Sequence, residues 1–182
     1  MVQTPAIVLK SFPYGETSII SRCFTKNKGK VSFIVRGARG KKSSKFSHFQ
    51  PLSYINIIYN HKSKNELQTV SKVNFIQFWS NITTDLRSVT LAMTLLDMTE
   101  KALSLDEPFP VLFNNLRDVL KLYNEKKTDP NMLFWFYECS LLINLGFQPN
   151  LEEIRLAALE IFPASYVLPI LGALGGFISG TL

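Results

Sequence analysis

Acidic side chains are almost missing from the first 78 residues of the chain. Two carboxylates, Glu16 and Glu66, stand against 13 lysine and arginine residues, which gives this part a net charge of +11. Residues 79–182 carry seven basic and 12 acidic side chains, a net charge of −5. This one-sided distribution predicts that the first part contacts a polyanion and that the second part has a different role.

Cysteine and histidine are also scarce, with two of each in 182 residues. Cys23 and Cys139 lie too far apart in sequence for a disulfide framework or a metal-ligand pair, which is typical of an intracellular protein. Cys139 lies among large apolar residues and is expected to be a buried structural thiol. His48 and His61 have no cysteine or carboxylate at ligand spacing, so neither a metal site nor a cofactor is expected.

The common catalytic and nucleotide-binding motifs are missing as well. The sequence contains no GxxxxGK[ST], GxSxG, HExxH or CxxC. A metal-dependent nuclease would need clustered carboxylates in the basic part, and Glu16 and Glu66 alone do not supply such a cluster. The chain is therefore expected not to be an enzyme, with a nuclease as a weak alternative.

Residues 5–78 have the periodicity of β-strands. Apolar or alternating segments predict strands at 6–9, 18–25, 30–36, 52–59 and 66–75. Asn27-Lys28-Gly29 predicts a hairpin turn between the second and third strands. Five short strands separated by turn signals predict a small barrel.

From residue 83 the apolar positions follow the helical period. The buried faces are expected to include Met93 on the first helix and Val111 on the second, which is expected to open near residues 106–108. The third helix has Asp129 as its N-cap, and Gly146 follows its last turn. The predicted fold class is α+β, with a barrel domain over 1–80, a helical domain over 81–153 and a divergent apolar tail over 154–182.

The densest positive charge lies in the loop from Arg36 to Lys45. Lysine and arginine side chains that neutralise phosphates release condensed counterions, and Gly37 and Gly40 let the backbone approach a ligand. Phe46, His48 and Phe49 follow this loop and could offer rings on which bases stack. A solvated surface loop is the alternative. The candidate nucleic-acid-binding residues are Arg22, Lys26, Lys28, Lys30, Arg36, Arg39, Lys41, Lys42, Lys45 and Phe46.

Two further features allow more than one interpretation. Phe24 and Phe33 alternate with polar residues, so each is either a stacking ring or, as we expect, part of the core. The last 22 residues carry no charge, and Gly172, Gly176 and Gly180 have the spacing of close-packed membrane helices. The tail is a membrane segment, an element packed on the helices, or a substituted end that is not native to the domain.

Several blocks of the sequence resemble the RecO family of bacterial recombination mediators. The blocks of the basic part are Tyr14-Gly15-Glu16-Thr17-Ser18, Phe24-Thr25, Gly37-Ala38-Arg39-Gly40-Lys41-Lys42-Ser43 and Phe49-Gln50-Pro51-Leu52. Residues 136–151 are similar to the helical segment of the family that ends in Leu-Gly-Tyr-x-Pro-x-Leu. The resemblance covers residues 1–153 and ends near Ile154, so the chain is expected to lack the usual C-terminal part. Many members have a zinc module there, but this chain has no cysteine after Cys139.

The resemblance implies an N-terminal OB-fold and a cytoplasmic, nucleoid-associated protein without a cofactor. It implies binding to single- and double-stranded DNA, annealing of strands, and contact with RecR and with the C-terminal tail of single-stranded-DNA-binding protein, leading to RecA loading. Arg117 and Lys121, four residues apart, are the expected basic rim for that tail. The rival interpretation is a membrane-associated protein, with the basic domain on anionic lipid and the apolar tail as anchor. No integral membrane association is expected.

Overall fold

The computed structural model describes residues 1–40, 43–62 and 64–147. The strands described are β1 (Val2–Tyr14), β2 (Ser18–Thr25), β3 (Gly29–Val35), β4 (Tyr54–Tyr59) and β5 (Leu67–Gln77), with the short helix α1 (Lys45–His48) before β4. They form a closed barrel in the order β1-β2-β3-β5-β4. Strands β3 and β5 are parallel, and the other neighbouring strands are antiparallel. This is the topology of an OB-fold, so the predicted fold class is confirmed.

Alternating apolar residues fill the inside of the barrel, as the period of two predicts. Phe33 of β3 is fully buried there and packs edge-on against Tyr59 of β4, with ring centroids 5.0 Å apart. Phe49, which follows α1, is also fully buried in this cluster, so the expectation that its ring could stack on a base was wrong. The predicted hairpin turn is confirmed, with Gly29 at a φ of +63°.

The first strand is longer than predicted, because it continues through two prolines, residues that usually end a strand. The sequence signal ended at residues 6–9, but β1 includes Pro5, opposite Asn56 on β4, and Pro13, opposite Ile19 on β2. Residues 2–7 of β1 pair with β4 and residues 6–14 pair with β2, and a register shift between Val8 and Lys10 interrupts the pairing with β2. Strand β4 begins two residues later than predicted.

The helical part comprises a 3₁₀ turn (Ile82–Thr84), α2 (Leu86–Ala102), α3 (Pro110–Glu125) and α4 (Pro130–Asn144). The predicted cap of α4 is confirmed, because the Asp129 carboxylate accepts hydrogen bonds from the backbone N–H groups of Asn131 and Met132 at 2.8 and 3.2 Å. Gly146 ends the last turn with a φ of +86°. The α3 helix begins at Pro110 rather than near Asp106, because the Asp106 N–H is bound to the barrel.

The helices and the barrel share one hydrophobic core outside the barrel. Phe24 points out of β2 and packs against Phe113 of α3, with ring centroids 5.5 Å apart. Phe24 and Phe33 are therefore both core residues, as expected, but they belong to two different clusters. The expectation for Met93 and Val111 was wrong, since both are exposed. Cys139 is only half-buried, because it lies on the side of α4 that the other helices leave partly open.

Two predicted features lie outside the described residues. They are the apolar tail over 154–182 and the loop lysines Lys41 and Lys42. The division into domains at residues 80 and 153 stays a prediction.

Candidate nucleic-acid interface

A cleft of about 330 Å³ lies on the outer face of β2 and β3. Its lining residues come from four strands, the β4–β5 loop and the α2–α3 connection: Phe12, Ile20, Arg22, Lys30, Ser32, Glu66, Leu67 and Leu105. In OB-folds, the face of strands two and three, between the first and the last hairpin loops, binds oligonucleotides and oligosaccharides. The predicted polyanion is therefore expected to bind in this cleft.

Two predicted cations, Arg22 and Lys30, meet in this cleft and both contact Glu100 of α2. The Arg22 guanidinium donates to the Glu100 carboxylate and lies 5.8 Å from the centroid of the Phe12 ring. The Lys30 Nζ donates to the backbone carbonyl of Glu100 at 2.5 Å. Burial lowers the pKa of Lys30, and the Glu100 charge opposes that shift. The Glu100 carboxylate of the protein itself therefore lies beside the cations of the cleft.

Lys26 and Lys28 lie at the turn that joins β2 to β3. Lys26 is exposed and Lys28 is half-buried. The Thr25 hydroxyl closes the turn, because it donates to the Gly29 carbonyl at 2.9 Å and accepts from the Lys28 N–H at 3.1 Å. These two lysines therefore extend the positive charge of the cleft toward one end of the hairpin.

The basic loop begins at the opposite end of β3. Arg36 and Arg39 are exposed, while Ala38 between them is buried. The Arg39 N–H donates to the Thr17 carbonyl at 2.8 Å, and its guanidinium lies 3.4 Å from the Gly15 carbonyl oxygen. The loop is thus held against the β1–β2 turn, one of the two hairpin loops that border the ligand face of an OB-fold.

Lys45 and Phe46 form a separate group on α1. Both are exposed, and the Phe46 side chain has 47% of its surface accessible. Their helix contacts β5, where the His48 ring stacks on Phe75 with centroids 4.1 Å apart. The structure therefore brings Arg22 and Lys30 together and distributes the other described candidates over three neighbouring places.

Sequence reasoning missed three residues of this surface. Phe12 lines the cleft, and Lys62 and Lys64 are exposed on the β4–β5 loop, the second loop that borders an OB ligand face. The buried Gln68 side chain shapes this loop, because it accepts from the Lys62 N–H at 2.9 Å and donates to the Lys62 carbonyl at 2.9 Å. The dense charge of residues 61–64 was visible in the sequence, but only strand order assigns this loop to the cleft.

The predicted basic rim on α3 is partly neutralised by its own helix. Arg117 donates from Nε and Nη2 to the two carboxylate oxygens of Asp118 at 2.8 and 3.0 Å, and this bond raises the pKa of Arg117. The Lys121 Nζ lies 4.0 Å from a carboxylate oxygen of Glu125. Both side chains remain partly exposed, so they can still meet an acidic partner.

Two regions of the chain match the two parts of one protein family. Residues 1–79 match the family described as Recombination protein O N terminal, and residues 83–154 match Recombination protein O C terminal. A DNA repair protein RecO from Flavobacterium johnsoniae is 31% identical over 173 residues, which cover 92% of this chain and 71% of that protein. The chain belongs to the RecO family. The predicted resemblance is thereby confirmed.

The chain is similar to two further proteins that carry the name DNA repair protein RecO. The DNA repair protein RecO of Salinibacter ruber is 30% identical over 158 residues, and that of Prosthecochloris aestuarii is 25% identical over 165 residues. The matched regions cover 87% and 91% of this chain, but 61% and 62% of the two relatives. The chain therefore spans less than two thirds of the length of these relatives.

Metal-binding clusters and membrane-spanning helices are both absent from the described ranges. Within residues 1–40, 43–62 and 64–147, no three histidine, cysteine or acidic side chains are close enough to share a metal ion. In the same ranges, no helix has both the length and the apolar character that crossing a membrane requires. The predicted anchor falls on the tail, which is not described.

Proposed function

We propose that this chain is a DNA-binding recombination mediator of DNA repair that acts by binding and not as an enzyme. The observation that carries the proposal is the OB barrel of a RecO family member, whose ligand face holds a cleft and is flanked by the exposed cations Arg36 and Arg39. The net charge of +11 over residues 1–78 supports a nucleic acid as the polyanion.

The proposed path of the DNA follows β3 from one end to the other. It begins at Lys28 in the β2–β3 turn, crosses the cleft and ends at Arg36 and Arg39 beside the β1–β2 turn. The seven residues of β3 span about 23 Å. Single-strand sites of about 4 to 16 nucleotides are usual for one OB-fold, so this path suits a short stretch of single-stranded DNA.

Aromatic rings border this path and favour unpaired bases. Phe12 lies in the cleft, and Tyr14 is half exposed at the end of β1. A base that stacks on such a ring contributes about 1–3 kcal/mol without sequence preference. Contacts with phosphates alone would also hold double-stranded DNA, and a protein that binds both forms is suited to annealing complementary strands.

The helical part is proposed to contact other proteins of the pathway. We propose that α3 receives the acidic tail of single-stranded-DNA-binding protein at Arg117 and Lys121. The family resemblance extends the proposal to cooperation with RecR and to the loading of RecA on coated DNA at the nucleoid. The net charge of −5 over residues 79–182 supports a role different from that of the barrel.

The experiment that tests the proposed function compares two strands of identical base sequence. The full chain is titrated into a fluorescein-labelled 20-base DNA and, separately, into the matching peptide nucleic acid, whose backbone carries no phosphate. We expect tight binding to the DNA and at least about tenfold weaker binding to the uncharged strand, because phosphates supply most of the non-specific affinity. Equal binding to the two strands, or binding to neither, would overturn the proposal.

A further inference from the structure

The connection between α2 and α3 is attached to the end of the β2–β3 hairpin. The Asp106 N–H donates to the Lys30 carbonyl at 2.9 Å, and Leu105 forms an isolated parallel β-bridge with Lys30. Gly29 lies directly against the backbone of Glu107. These backbone contacts with the start of β3 therefore hold the end of α2 beside the cleft.

Glu100 lies in this last turn and is buried with its charge directed at the barrel. Its side chain is 8% exposed, whereas that of its partner Arg22 is 41% exposed. The Lys30 ammonium is fixed on the backbone carbonyl of the same residue. One acidic residue of the helical part thus binds two cations of the candidate DNA cleft.

A phosphate oxygen would use the same kind of bond that Glu100 makes. Charge-assisted hydrogen bonds from a guanidinium suit carboxylates and phosphates alike. While Arg22 is paired with Glu100, the two charges cancel, and a neutral pair releases no condensed counterion when DNA arrives. The carboxylate also repels a phosphate in the cleft, and this repulsion is strong because burial limits its screening by water.

We propose that Glu100 competes with DNA phosphates for Arg22 and so lowers the affinity of the cleft for DNA. This inference rests on the proposed function. In this account Arg22 contributes little to DNA affinity as long as it is paired with the Glu100 carboxylate. Removing the Glu100 charge makes Arg22 available, and the cleft gains about one phosphate contact.

The same helix supplies a matched control. Asp97 is three residues before Glu100 and accepts a hydrogen bond from Lys101 at 2.6 Å, but its side chain is 50% exposed and its partner lies on α2 itself. Asp97→Asn changes the net charge of the protein by the same amount as Glu100→Gln. Asp97 has its partner on α2, so its replacement leaves the contacts with the barrel intact. An effect of net charge on DNA affinity therefore appears in both variants, whereas the release of Arg22 appears only in Glu100→Gln.

The experiment measures the affinity of the full chain for a labelled 20-base oligothymidine between 50 and 200 mM salt. The variants are Glu100→Gln, Asp97→Asn and the double change Arg22→Ala with Glu100→Gln. We expect Glu100→Gln to bind more tightly than Asp97→Asn at 50 mM and to have a salt slope steeper by about 0.7. A slope difference of that size makes its affinity fall about 2.6-fold more over this fourfold rise in salt.

The double variant keeps the test decisive if Glu100→Gln folds poorly. It leaves no unpaired charge, and the account predicts an affinity and a slope equal to those of the parent within about twofold, because Arg22 adds little in the parent. A marked loss in the double variant would show that Arg22 already contacts DNA and would overturn the inference. Equal behaviour of Glu100→Gln and Asp97→Asn would overturn it as well, while the proposed function would stand. If the parent chain does not bind DNA, both the inference on Glu100 and the proposed function are wrong.

Discussion

Gly29 lies so close to Glu107 that no other residue fits at this position. A Cβ built on Gly29 would fall 1.7 Å from the carbonyl oxygen of Glu107, and Gly29 has a φ of +63°. The contact joins the β2–β3 turn of the barrel to the connection between α2 and α3. Lys30 follows Gly29 in the barrel, and its side chain donates to the carbonyl of Glu100 in the helical part. The contact between Gly29 and Glu107 therefore helps to hold the helical part against the cleft.

Gly29→Ala is therefore expected to destabilise the protein more than an alanine at another glycine of positive φ. Gly15 is the matched control, because its φ is +58° but an added Cβ would meet no described atom within 4 Å. We expect Gly15→Ala to lower the free energy of unfolding by about 1 kcal/mol through backbone strain alone. Gly29→Ala should lower it by about 3 kcal/mol or more, since the backbone of Glu107 must also move. Urea denaturation measures both, and equal losses would show that the contact is unimportant.

The basic loop gives a prediction that separates DNA binding from stability. Changing Arg39, Lys41 and Lys42 together to alanine should weaken DNA binding. The plot of log affinity against log salt should become less steep by about 2, since each phosphate contact contributes about 0.7. The melting temperature should hardly change, because surface substitutions usually alter stability by less than about 0.5 kcal/mol.

The control for the loop variant removes three positive charges from the helical part. Lys101, Lys121 and Lys127 are exposed there, and their joint replacement by alanine changes the net charge by the same amount. This control should keep the parent slope. If the two triple variants bind DNA alike, the loop has no specific role, and the contact surface lies elsewhere on the barrel.

The helical part is expected to bind the acidic tail peptide of single-stranded-DNA-binding protein. Replacing Arg117 and Lys121 by alanine should weaken the affinity about fivefold, because two exposed charge pairs contribute about 1 kcal/mol in total. Isothermal titration calorimetry with the synthetic peptide measures this change. Replacing Lys101 and Lys127 instead removes the same charge and should leave the affinity unchanged. No heat with the parent chain at about 100 μM peptide would contradict the proposed contact.

The buried thiol of Cys23 predicts a loss of stability at alkaline pH. Burial raises the pKa of Cys23 from 9.0 to about 12, with a smaller opposing effect of the Ser21 hydroxyl. Between these two values the unfolded chain loses the thiol proton while the folded protein keeps it. The folded state is therefore favoured fully below pH 9, and this contribution decreases as the pH rises toward 12.

Chemical denaturation at pH 8, 10 and 11 tests this consequence. The free energy of unfolding of the parent should decrease above pH 9, and Cys23→Ala should reduce the slope by about 1 kcal/mol per pH unit. Burial also raises the pKa of Tyr137, so part of the slope should remain in the variant. The half-buried Cys139 provides the comparison, and its replacement by alanine should have a smaller effect. An unchanged slope in Cys23→Ala would contradict the burial argument.

Much of the fold could be predicted because its signals are local. The alternation of β2 and β3, the turn at Gly29 and the capping residue Asp129 each depend on a few neighbouring residues, and the structure agrees with all three. The length of β1 could not be predicted, since prolines usually end a strand and here their partners on β4 and β2 keep the pairing. The start of α3 was misplaced because Asp106 is held by Lys30, a contact between distant parts of the chain.

The site was harder to predict than the fold. A high density of lysine and arginine marks the barrel as basic, but sequence does not show which cations already have a partner. Arg22 and Lys30 are 78 and 70 residues from Glu100 in the chain, so their contacts with it have no sequence signature. Lys62 and Lys64 were missed for a related reason, because their loop borders the cleft only through the strand order of the closed barrel.

The central claim is that the basic barrel binds DNA through phosphate contacts. Its most direct test is the affinity of the full chain for single-stranded DNA as a function of salt concentration, measured by fluorescence anisotropy. The full chain is required because Phe24 and other outward residues of the barrel lie in a core shared with the helices. The account predicts that log affinity falls linearly with log salt with a slope of about −3, which corresponds to about four phosphates contacted. A flat salt response would contradict it.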